Sequence, residues 1–392
     1  QGSGRVGGDG VMAKLGEVCK VSPSTKNIER QGAWLLNLDM VEQQTGRVVE
    51  YNFVGEDGLN GSITQFDTEN VLYSKLRPNL NKVVLPERNG FCTSELLPLR
   101  PDARKLDRSY LAVFLRSDGF VNWAVSKTAG AKMPRLGTKD LLNANIPLPE
   151  IKEQKAIAEK FEKLEELIFL RKQQIAKLDE LVKARFVEMF GDFKFNPKEF
   201  PVYQLCELCD VGSSKRIYQE EQSISGIPFL KVADLNELID TGKYSCSTFI
   251  PLERYEQLLH KELTPTENDI LITSRGTLGK CYIVQSDDEF YFQDGMISWL
   301  SNFSPKVSSI YISYLFAQPY IQKQIESLQA GSTVAYLSIA MLKKINVILP
   351  PKKLQDDFAT FVEHVDQQKQ TVQQSLEKLE LMKKALMQEY FG

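Results

Sequence analysis

The chain has 392 residues, of which 42% are hydrophobic and 25% charged, and its net charge at neutral pH is −3. This length predicts two or three domains, and the apolar content is typical of a globular protein with a real core. No apolar run is as long as a membrane span and no secretory signal opens the chain, so we expect no membrane partner. Residues 1–11 are rich in glycine and precede Met12, and we interpret them as an expression scar outside the fold.

Six cysteines lie at positions 19, 92, 206, 209, 246 and 281, without the spacing of a disulfide framework. Cys206-x-x-Cys209 is the one pair that could suggest a metal or redox site. The chain has only two histidines, no second CxxC follows, and the first half has Gly16 where Cys206 stands. We therefore predict no metal and no cofactor. The more common explanation for such a pair is two small buried thiols without a metal. Free thiols in turn indicate a reducing cytoplasm.

In the first half, residues 15–21 open a segment of short strands and loops. Residues 71–76 read as a strand that runs into the turn at Arg77-Pro78-Asn79, and residues 83–85 read as the next strand. A helix is predicted over 109–115. A loop with Lys132 and Arg135 then leads to an apolar run at 144–148, which enters a long helix.

That long helix is part of an internal repeat, which decides the domain organisation. Residues 145–191 match residues 346–392 without a gap at an offset of 201, and 15 of the 47 positions are identical. Each copy has an apolar stripe on a 3.5-residue period held for about five heptads, which favours a coiled coil between the copies. Two amphipathic helices that pack separately on globular domains are the alternative. The stripe residues are Ile157, Phe161, Leu164, Ile168, Ile175, Leu178, Val182, Phe358, Val362, Val365, Val372, Leu376, Leu379 and Leu386.

The second half repeats this order after a hinge at 191–201. Residues 205–211 match the first opener, and the strand at 269–273 runs into a turn at 274–280 and a strand at 281–284. One inserted residue aligns Arg77 with Arg275 and Lys82 with Lys280. A helix is predicted over 309–316, and the loop at 330–338 matches the loop at 129–137. We therefore predict an α/β (α+β) fold in tandem, with each globular part followed by a long helix.

No catalytic set is present, because the sequence has no P-loop, no metalloprotease motif, no nucleophile elbow and no Gly-rich cofactor loop after a strand. A nuclease or methyltransferase subunit would need such motifs. The sequence therefore indicates a protein that reads or scaffolds, and not an enzyme.

The paired turns are the candidate reading elements. A guanidinium such as that of Arg275 can place its fork on guanine O6 and N7, while hydroxyl and ammonium groups reach phosphates or base edges. The alternative is that each is an ordinary exposed turn. The recurrence of such a turn at matched positions in both halves weakens this alternative. The candidate DNA-binding residues are Lys75, Arg77, Asn79, Lys82, Lys132, Arg135, Lys215, Arg216, Ser274, Arg275, Thr277, Lys280, Ser332, Thr333 and Tyr336.

The charge distribution differs between the halves. Residues 71–139 contain 13 Lys and Arg against 5 Asp and Glu, whereas residues 270–340 contain 4 against 5. We therefore expect a basic face on the first half only.

The chain resembles the specificity (S) subunits of type I restriction–modification systems. The likeness rests on the Arg-Gly-Thr turn at 270–280, the Gly-Ser-Thr loop at 331–338, the Leu-Pro…Gln helix entrances and the hinge at 188–198. The resemblance implies two target-recognition domains with mixed β-sheets, separated by two long helices that form an antiparallel coiled coil, in a pseudo-two-fold tandem repeat. The domains would be 12–147 and 192–348, and the helices 148–191 and 349–392.

The resemblance also implies partners. Such subunits bind double-stranded DNA and two methyltransferase (M) subunits, and through these the restriction (R) subunits, but they have no catalytic activity of their own. A non-enzymatic coiled-coil adaptor without sequence-specific DNA binding remains the alternative class.

Overall fold

In the computed structural model, which describes residues 11–26, 28–129, 132–329 and 335–392, the chain divides into two compact units. Unit 1 comprises the chain as far as Gln174 together with Val372–Gly392, and unit 2 comprises Ile175–Thr371. Each unit contains mixed β-sheets, short helices and one part of each of two long helices. The predicted α/β tandem is therefore confirmed, and each long helix contributes to both units.

Unit 1 contains an antiparallel sheet, a mixed sheet and an antiparallel strand pair. One sheet has the order β2-β9-β6-β7 and is antiparallel throughout, the second has the order β4-β3-β8-β5 with β3 and β8 parallel, and β1 pairs with β10. The strands are β1 Met12–Lys14, β2 Cys19–Val21, β3 Ala33–Leu36, β4 Asn52–Val54, β5 Ile63–Phe66, β6 Val71–Ser74, β7 Val83–Val84, β8 Gly90–Thr93, β9 Leu96–Pro101 and β10 Asn145–Pro147. The helices are α1 Leu15–Val18, α2 Arg108–Leu115, α3 Asp118–Ser126, α4 Thr138–Leu142 and α5 Ile151–Phe190, with 3₁₀ turns at Leu38–Met40, Glu56–Gly58 and Pro78–Leu80.

Unit 2 repeats the antiparallel sheet as β12-β18-β15-β16 and the pair as β11-β19, while its third sheet, β14-β13-β17, has β13 and β17 parallel. The strands are β11 Val202–Gln204, β12 Asp210–Gly212, β13 Ile227–Leu230, β14 Phe249–Ile250, β15 Ile270–Thr273, β16 Cys281–Ile283, β17 Tyr291–Phe292, β18 Ile297–Ser301 and β19 Asn346–Ile348. The helices are α6 Val232–Thr241, α7 Leu252–Leu259, α8 Ser309–Phe316, α9 Pro319–Leu328, α10 Ile339–Lys343 and α11 Lys352–Phe391, with 3₁₀ turns at Leu205–Glu207 and Gln219–Glu221.

The helices α2, α3 and α10 begin where a polar side chain caps free backbone N–H groups, as expected for Ser and Asp at this position. The Asp107 carboxylate accepts hydrogen bonds from the first-turn amides of α2, and the Ser338 hydroxyl accepts one from Met341 at the start of α10. In the described part of the chain, no helix has the length and apolar content that a membrane span requires.

The two long helices have bounds 201 residues apart at both ends and run antiparallel within each unit. In unit 1, Lys160 Nζ donates to the Tyr390 hydroxyl at 3.0 Å, and Lys383 Nζ lies 2.7 Å from the Glu165 carboxylate. In unit 2, Lys369 Nζ lies 2.6 Å from Asp179. Because the numbers on α5 rise as those on α11 fall, the paired helices have opposite directions.

The predicted stripe lies largely inside this pairing. Among its residues, Ile168, Ile175, Leu379 and Leu386 are half-buried. The buried ones are Ile157, Phe161, Leu164, Leu178, Val182, Phe358, Val362, Val365, Val372 and Leu376.

The strict 3.5-residue period does not continue to the helix ends. After Val182 the most deeply buried residues of α5 are Phe186 and Phe190, each fully buried, whereas a strict 3.5-residue period continues from Val182 to Arg185 and Met189. A straight α-helix drifts by about 20° per heptad against a 3.5 repeat, so five heptads accumulate about 100°, which is one residue. Each helix end packs on the globular part of the unit to which that end belongs. The drift turns a different face of the helix toward this globular part.

Each long helix is joined to its globular part by a fully buried glutamine near its first turn. The Gln154 side chain accepts from Asp107 N at 2.8 Å and donates to the carbonyl oxygens of Lys105 and Pro149.

In unit 2 the Gln355 side chain makes the same three hydrogen bonds, with Ser308 N, Lys306 O and Pro350 O. We call this arrangement the glutamine joint. In each unit, main-chain atoms thus satisfy both the oxygen and the nitrogen of the buried glutamine side chain.

Candidate nucleic-acid interface

Each unit presents a turn between two strands of its antiparallel sheet. Turn A (residues 75–82) connects β6 to β7, and turn B (residues 274–280) connects β15 to β16. Both are closed by equivalent bonds, from Ser74 N to Lys82 O at 3.0 Å and from Thr273 N to Lys280 O at 3.0 Å. The turns are therefore the same backbone element, as the sequence predicted.

A loop runs beside each turn and pairs with it. In unit 1, loop A (residues 129–137) forms a bridge between Arg135 and Leu76, and Leu136 N donates to Lys75 O at 2.9 Å.

In unit 2, loop B (residues 330–338, described from residue 335) forms a bridge between Tyr336 and Arg275. Leu337 N donates to Ser274 O at 2.9 Å, which matches the bond in unit 1. Turn and loop thus form one surface in each unit.

These bridges correct the alignment of the two turns. Because Arg135 and Tyr336 are 201 apart, the residue equivalent to Arg275 is Leu76, and Arg77 is equivalent to Gly276. The backbone agrees, since Arg77 and Gly276 both have positive φ, of 49° and 75°. The extra residue of turn A therefore lies inside the turn, whereas aligning the two arginines had placed it before the turn.

The candidate side chains of turn A have different surroundings. Arg77 and Asn79 are exposed and Lys75 is half-buried. Lys82 is also half-buried, and its ammonium donates to Leu38 O. Burial lowers the pKa of Lys82, and the Asp39 carboxylate opposes this shift. Arg77 and Asn79 are thus the members of turn A with the freest access to a ligand.

In loop A, Lys132 and Arg135 are both exposed. The Arg135 guanidinium is held by Glu95, with Nη2 3.0 Å and Nε 3.3 Å from carboxylate oxygens. Hydrogen bonding to this carboxylate raises the pKa of Arg135.

In turn B, Arg275 and Thr277 are exposed, and Arg275 Nη1 lies 3.7 Å from Met296 Sδ. Lys280 is half-buried and its Nζ lies 2.7 Å from Asp240. Ser274 is fully buried with its Oγ 2.7 Å from that of Ser298, so we leave it out of the proposed interface.

The remaining candidates of unit 2 lie just after β12 or in loop B. Tyr336 is 39% exposed. Lys215 is exposed, and Arg216 Nε lies 2.8 Å from Asp294, which raises the pKa of Arg216. Ser332 and Thr333 lie outside the described residues.

The support beneath turn A was not predicted from the sequence. Arg116, at the end of α2, donates through Nη2 to Val83 O at 2.9 Å and through Nη1 to the Glu165 carboxylate at 3.1 Å. Its own carbonyl accepts from Asn81 Nδ2 at 3.0 Å. We call this the arginine brace. Arg116 directly follows the helix predicted over 109–115. The only sequence signal for its role is that the second half has no arginine at the matching position.

In unit 2 the position 201 residues after Arg116 is Ala317. A cavity of about 370 Å³ opens there, lined by Ala317, Tyr314, Gln322, Ile239 and residues 277–281 of turn B. Turn A is therefore supported by a nearly buried guanidinium, whereas the position equivalent to Arg116 under turn B lines a cavity.

Several cations of the expected basic face make internal contacts. Arg100 pairs with Asp67 at 2.8 Å, Arg108 donates to Asn70 O and Pro86 O, and Arg116 and Arg135 have the partners described above. The positive charge that remains open to a ligand is therefore smaller than the count of residues suggests.

The residues that could hold a metal are few. Among the described residues, no group of three or more His, Cys, Asp or Glu is placed to bind a metal ion. Cys209 of the CxxC pair is buried, and desolvation raises the pKa of its thiol to about 12. A thiol that stays protonated is a poor metal ligand.

The sequence profile described as Type I restriction modification DNA specificity domain matches residues 11–180 and again residues 197–381. The chain is 30% identical over 124 residues to the EcoDI specificity subunit of a type I restriction enzyme from Escherichia coli, which is 32% of this chain and 27% of that protein. It is 26% identical over 324 residues to the MjaVIII specificity subunit from Methanocaldococcus jannaschii, covering 76% of this chain and 73% of that protein.

The fold is similar to the crystal structure of the type I restriction–modification S subunit from M. genitalium. The TM-score is 0.62 at 16% sequence identity, and the match covers 99% of this chain and 98% of that one. At this identity the similarity concerns the fold.

Proposed function

Because the chain belongs to the type I restriction modification DNA specificity family, we propose that it is the DNA-recognition subunit of such a complex. In this proposal each unit reads one half of a bipartite target through its turn and loop. Methylation and cleavage belong to partner M and R subunits, and this chain is not an enzyme.

The observation that carries the proposal is one backbone frame used twice with different side chains. Main-chain bonds hold both turns at equivalent atoms, yet the positions that face outward differ, as in Leu76 and Arg135 against Arg275 and Tyr336. Two readers of different half-sites need this combination, because base contacts specify sequence while the frame fixes register. Two weak readers in one chain also gain affinity by effective concentration.

The helices supply equivalent positions for two identical M subunits. Leu181 and Met382 are 201 residues apart, and they are 47% and 49% exposed although both are large and apolar. An exposed apolar residue repeated at the same helical position suits a surface that binds the same partner twice. We place the M subunits on this face of the helices, away from the turns.

DNA recognition is tested by measuring affinity against salt concentration for cognate and scrambled duplexes, with and without the M subunit. Cognate DNA should bind more tightly by 10³-fold or more, as is typical of specific over non-specific binding. An adaptor without DNA recognition would give equal affinity for both duplexes at every salt concentration.

Partner docking is tested by a pull-down with the M subunit. Leu181→Asp and Met382→Asp should each reduce the bound M subunit, and the double variant should abolish its capture. Arg77→Ala and Arg275→Ala are the matched controls, since both residues are exposed but lie in the turns. Loss of the M subunit by these turn variants, with the fold retained, would contradict the assignment.

The proposal includes the limits of the two reading domains and the cellular location of the protein. The two reading domains are residues 12–147 and 192–348, each followed by its helix. All six cysteines are unpaired, which suits the cytoplasm, where the DNA is.

A further inference from the structure

Three structurally equivalent positions meet where each turn, its loop and the residue just before the neighbouring strand come together. In unit 1 they are Leu76, Arg135 and Glu95, because Lys75 N donates to Glu95 O at 3.1 Å beside the bridge between Leu76 and Arg135. We call this set trio A.

In unit 2 the same backbone bonds identify Arg275, Tyr336 and Met296 as trio B, because Ser274 N donates to Met296 O at 2.9 Å. Each trio contains one arginine, but at a different position. In trio A the loop supplies it, and in trio B the turn does.

From this transposition we infer that Arg135 and Arg275 are functional counterparts, each the base-reading arginine of its unit, and that Glu95 is the positioning residue for Arg135. The inference rests on the proposed function and deepens it, since it assigns one arginine to each half-site. It also moves the reading role in unit 1 from Arg77 to Arg135.

Arg77 is a poor counterpart of Arg275 on structural grounds. Its equivalent in turn B is Gly276, so the frame of unit 2 has no side chain at that position. Its positive φ also places Arg77 at the corner of the turn, where the shape of the backbone, and not the identity of the side chain, is the feature shared with turn B.

The Glu95 contact leaves Arg135 able to read a base. Within the described part of the chain, Glu95 is the hydrogen-bond partner of this guanidinium and takes its Nε and Nη2 side. The opposite end, with Nη1 and the second hydrogen of Nη2, stays open. That end has the two parallel donors that match guanine O6 and N7. The Arg135 side chain is 43% exposed and the Glu95 side chain 25%, so the pair stands at the surface.

Glu95 restricts the directions in which this fork can point, because two contacts to a carboxylate fix the plane of a guanidinium. Arg275 has no carboxylate in the equivalent place, since Met296 offers a thioether sulfur. We therefore expect loss of Glu95 to affect the choice of a base more than overall affinity.

The test expresses the full chain with its M subunit in a methylation-free host and maps the methylated motif by single-molecule sequencing. Arg135→Lys keeps the charge and removes the fork, and Glu95→Gln keeps the shape and removes the carboxylate. Both should relax the same single base pair of one half-site by about 5- to 100-fold. Arg275→Lys should relax one base pair of the other half-site.

Arg104→Lys is the matched control, because this arginine also pairs with a carboxylate, that of Asp102, but is 89% exposed and lies outside the turn and loop. It should leave the motif unchanged. In each variant the unaltered half-site shows within the same molecule that the chain is folded.

The inference is overturned if Arg135→Lys and Glu95→Gln keep the wild-type motif, or if they relax different positions. It is also overturned if either variant loses all methylation at an unchanged melting temperature, since Arg135 would then supply only general affinity. A wild-type chain that yields no bipartite motif would instead remove the proposed function itself.

Discussion

Turn A and turn B share one backbone frame but differ in what lies beneath them. The arginine brace supports turn A through hydrogen bonds and links it to α5, where Glu165 also pairs with Lys383. Turn B lies over a cavity and contains Gly276 and Gly279, both with positive φ. Main-chain pairing therefore determines the backbone path of both turns. Residues outside each turn determine how firmly that turn is supported.

The difference shows that a repeated fold need not have repeated support. Unit 1 stabilises its turn with a nearly buried ion pair, whose side chains are 10% and 22% exposed, and burial lowers the pKa of Arg116. Unit 2 concentrates its packing on the helix ends, where Phe186, Phe190 and Phe358 meet with ring centroids 4.8 to 5.4 Å apart. Each unit should therefore be most sensitive to a different substitution.

The largest effect should come from Phe186→Ala. This ring is fully buried among other aromatic rings of unit 2, and a Phe→Ala change in such a core costs about 3–5 kcal/mol of unfolding free energy. Met387→Ala, at the equivalent position in unit 1, should cost about 2 kcal/mol, because a flexible side chain at 8% exposure leaves less empty volume. Denaturant unfolding of both variants measures the difference, and equal losses would contradict it.

Glu165→Gln should come next. It leaves the Arg116 guanidinium nearly buried without a counter-charge, which costs about 3 kcal/mol. Hydrogen exchange should show faster exchange in turn A and no change in turn B. Glu166→Gln, on the exposed neighbouring residue, is the control and should alter neither turn.

The equivalent substitution in unit 2, Asp366→Asn, should have the opposite sign at neutral pH. Asp366 is exposed at the surface, but partial desolvation and the Asp179 carboxylate still raise its pKa, and Lys369 opposes the shift. A raised carboxyl pKa means that ionisation opposes folding, so the amide should raise the melting temperature slightly. The gain should disappear as the pH falls below the unfolded pKa of about 3.9, where the carboxyl is neutral in both states. A loss of stability at pH 7 would show that Asp366 is well paired.

A smaller effect tests the register of the two turns. Arg77→Gly should stabilise the chain by about 0.5–1 kcal/mol, because glycine adopts a positive φ without strain. Gly276→Ala, at the equivalent position, should destabilise it by about 1 kcal/mol for the same reason. Thermal unfolding measures both, and a stabilising Gly276→Ala would refute the equivalence of the two positions.

The smallest effect concerns Lys132, the lysine of loop A. Lys132→Ala should weaken binding to cognate and scrambled DNA alike and flatten the salt slope by about one unit, as expected for a phosphate contact. Lys215→Ala makes the corresponding test in unit 2. A change confined to cognate DNA would indicate that Lys132 contacts a base.

Much of the fold could be predicted because the chain contains two copies of it. The offset of 201 located both long helices, and the β-branched run at 269–273 identified β15. The helices α6 and α7 were missed because they lie where the two halves have diverged, so no repeat marks them.

The interface was less predictable, for a physical reason. Identity between side chains suggested that Arg77 matches Arg275, but the main-chain bridges define equivalence, and these depend on partners about 60 residues away. The brace likewise joins Arg116 to Glu165 across 49 residues, a distance at which a single sequence carries no sign of contact.

The glutamine joint has a consequence for how such chains diversify. Because Gln154 and Gln355 bond only to main-chain atoms, the joint does not depend on which side chains the globular part carries. A gene segment encoding a different reading domain could therefore be exchanged by recombination without redesigning the helix start, provided that its backbone offers the same amide and carbonyl groups. Such an exchange would leave the long helices, and any surface they offer to a partner, unchanged.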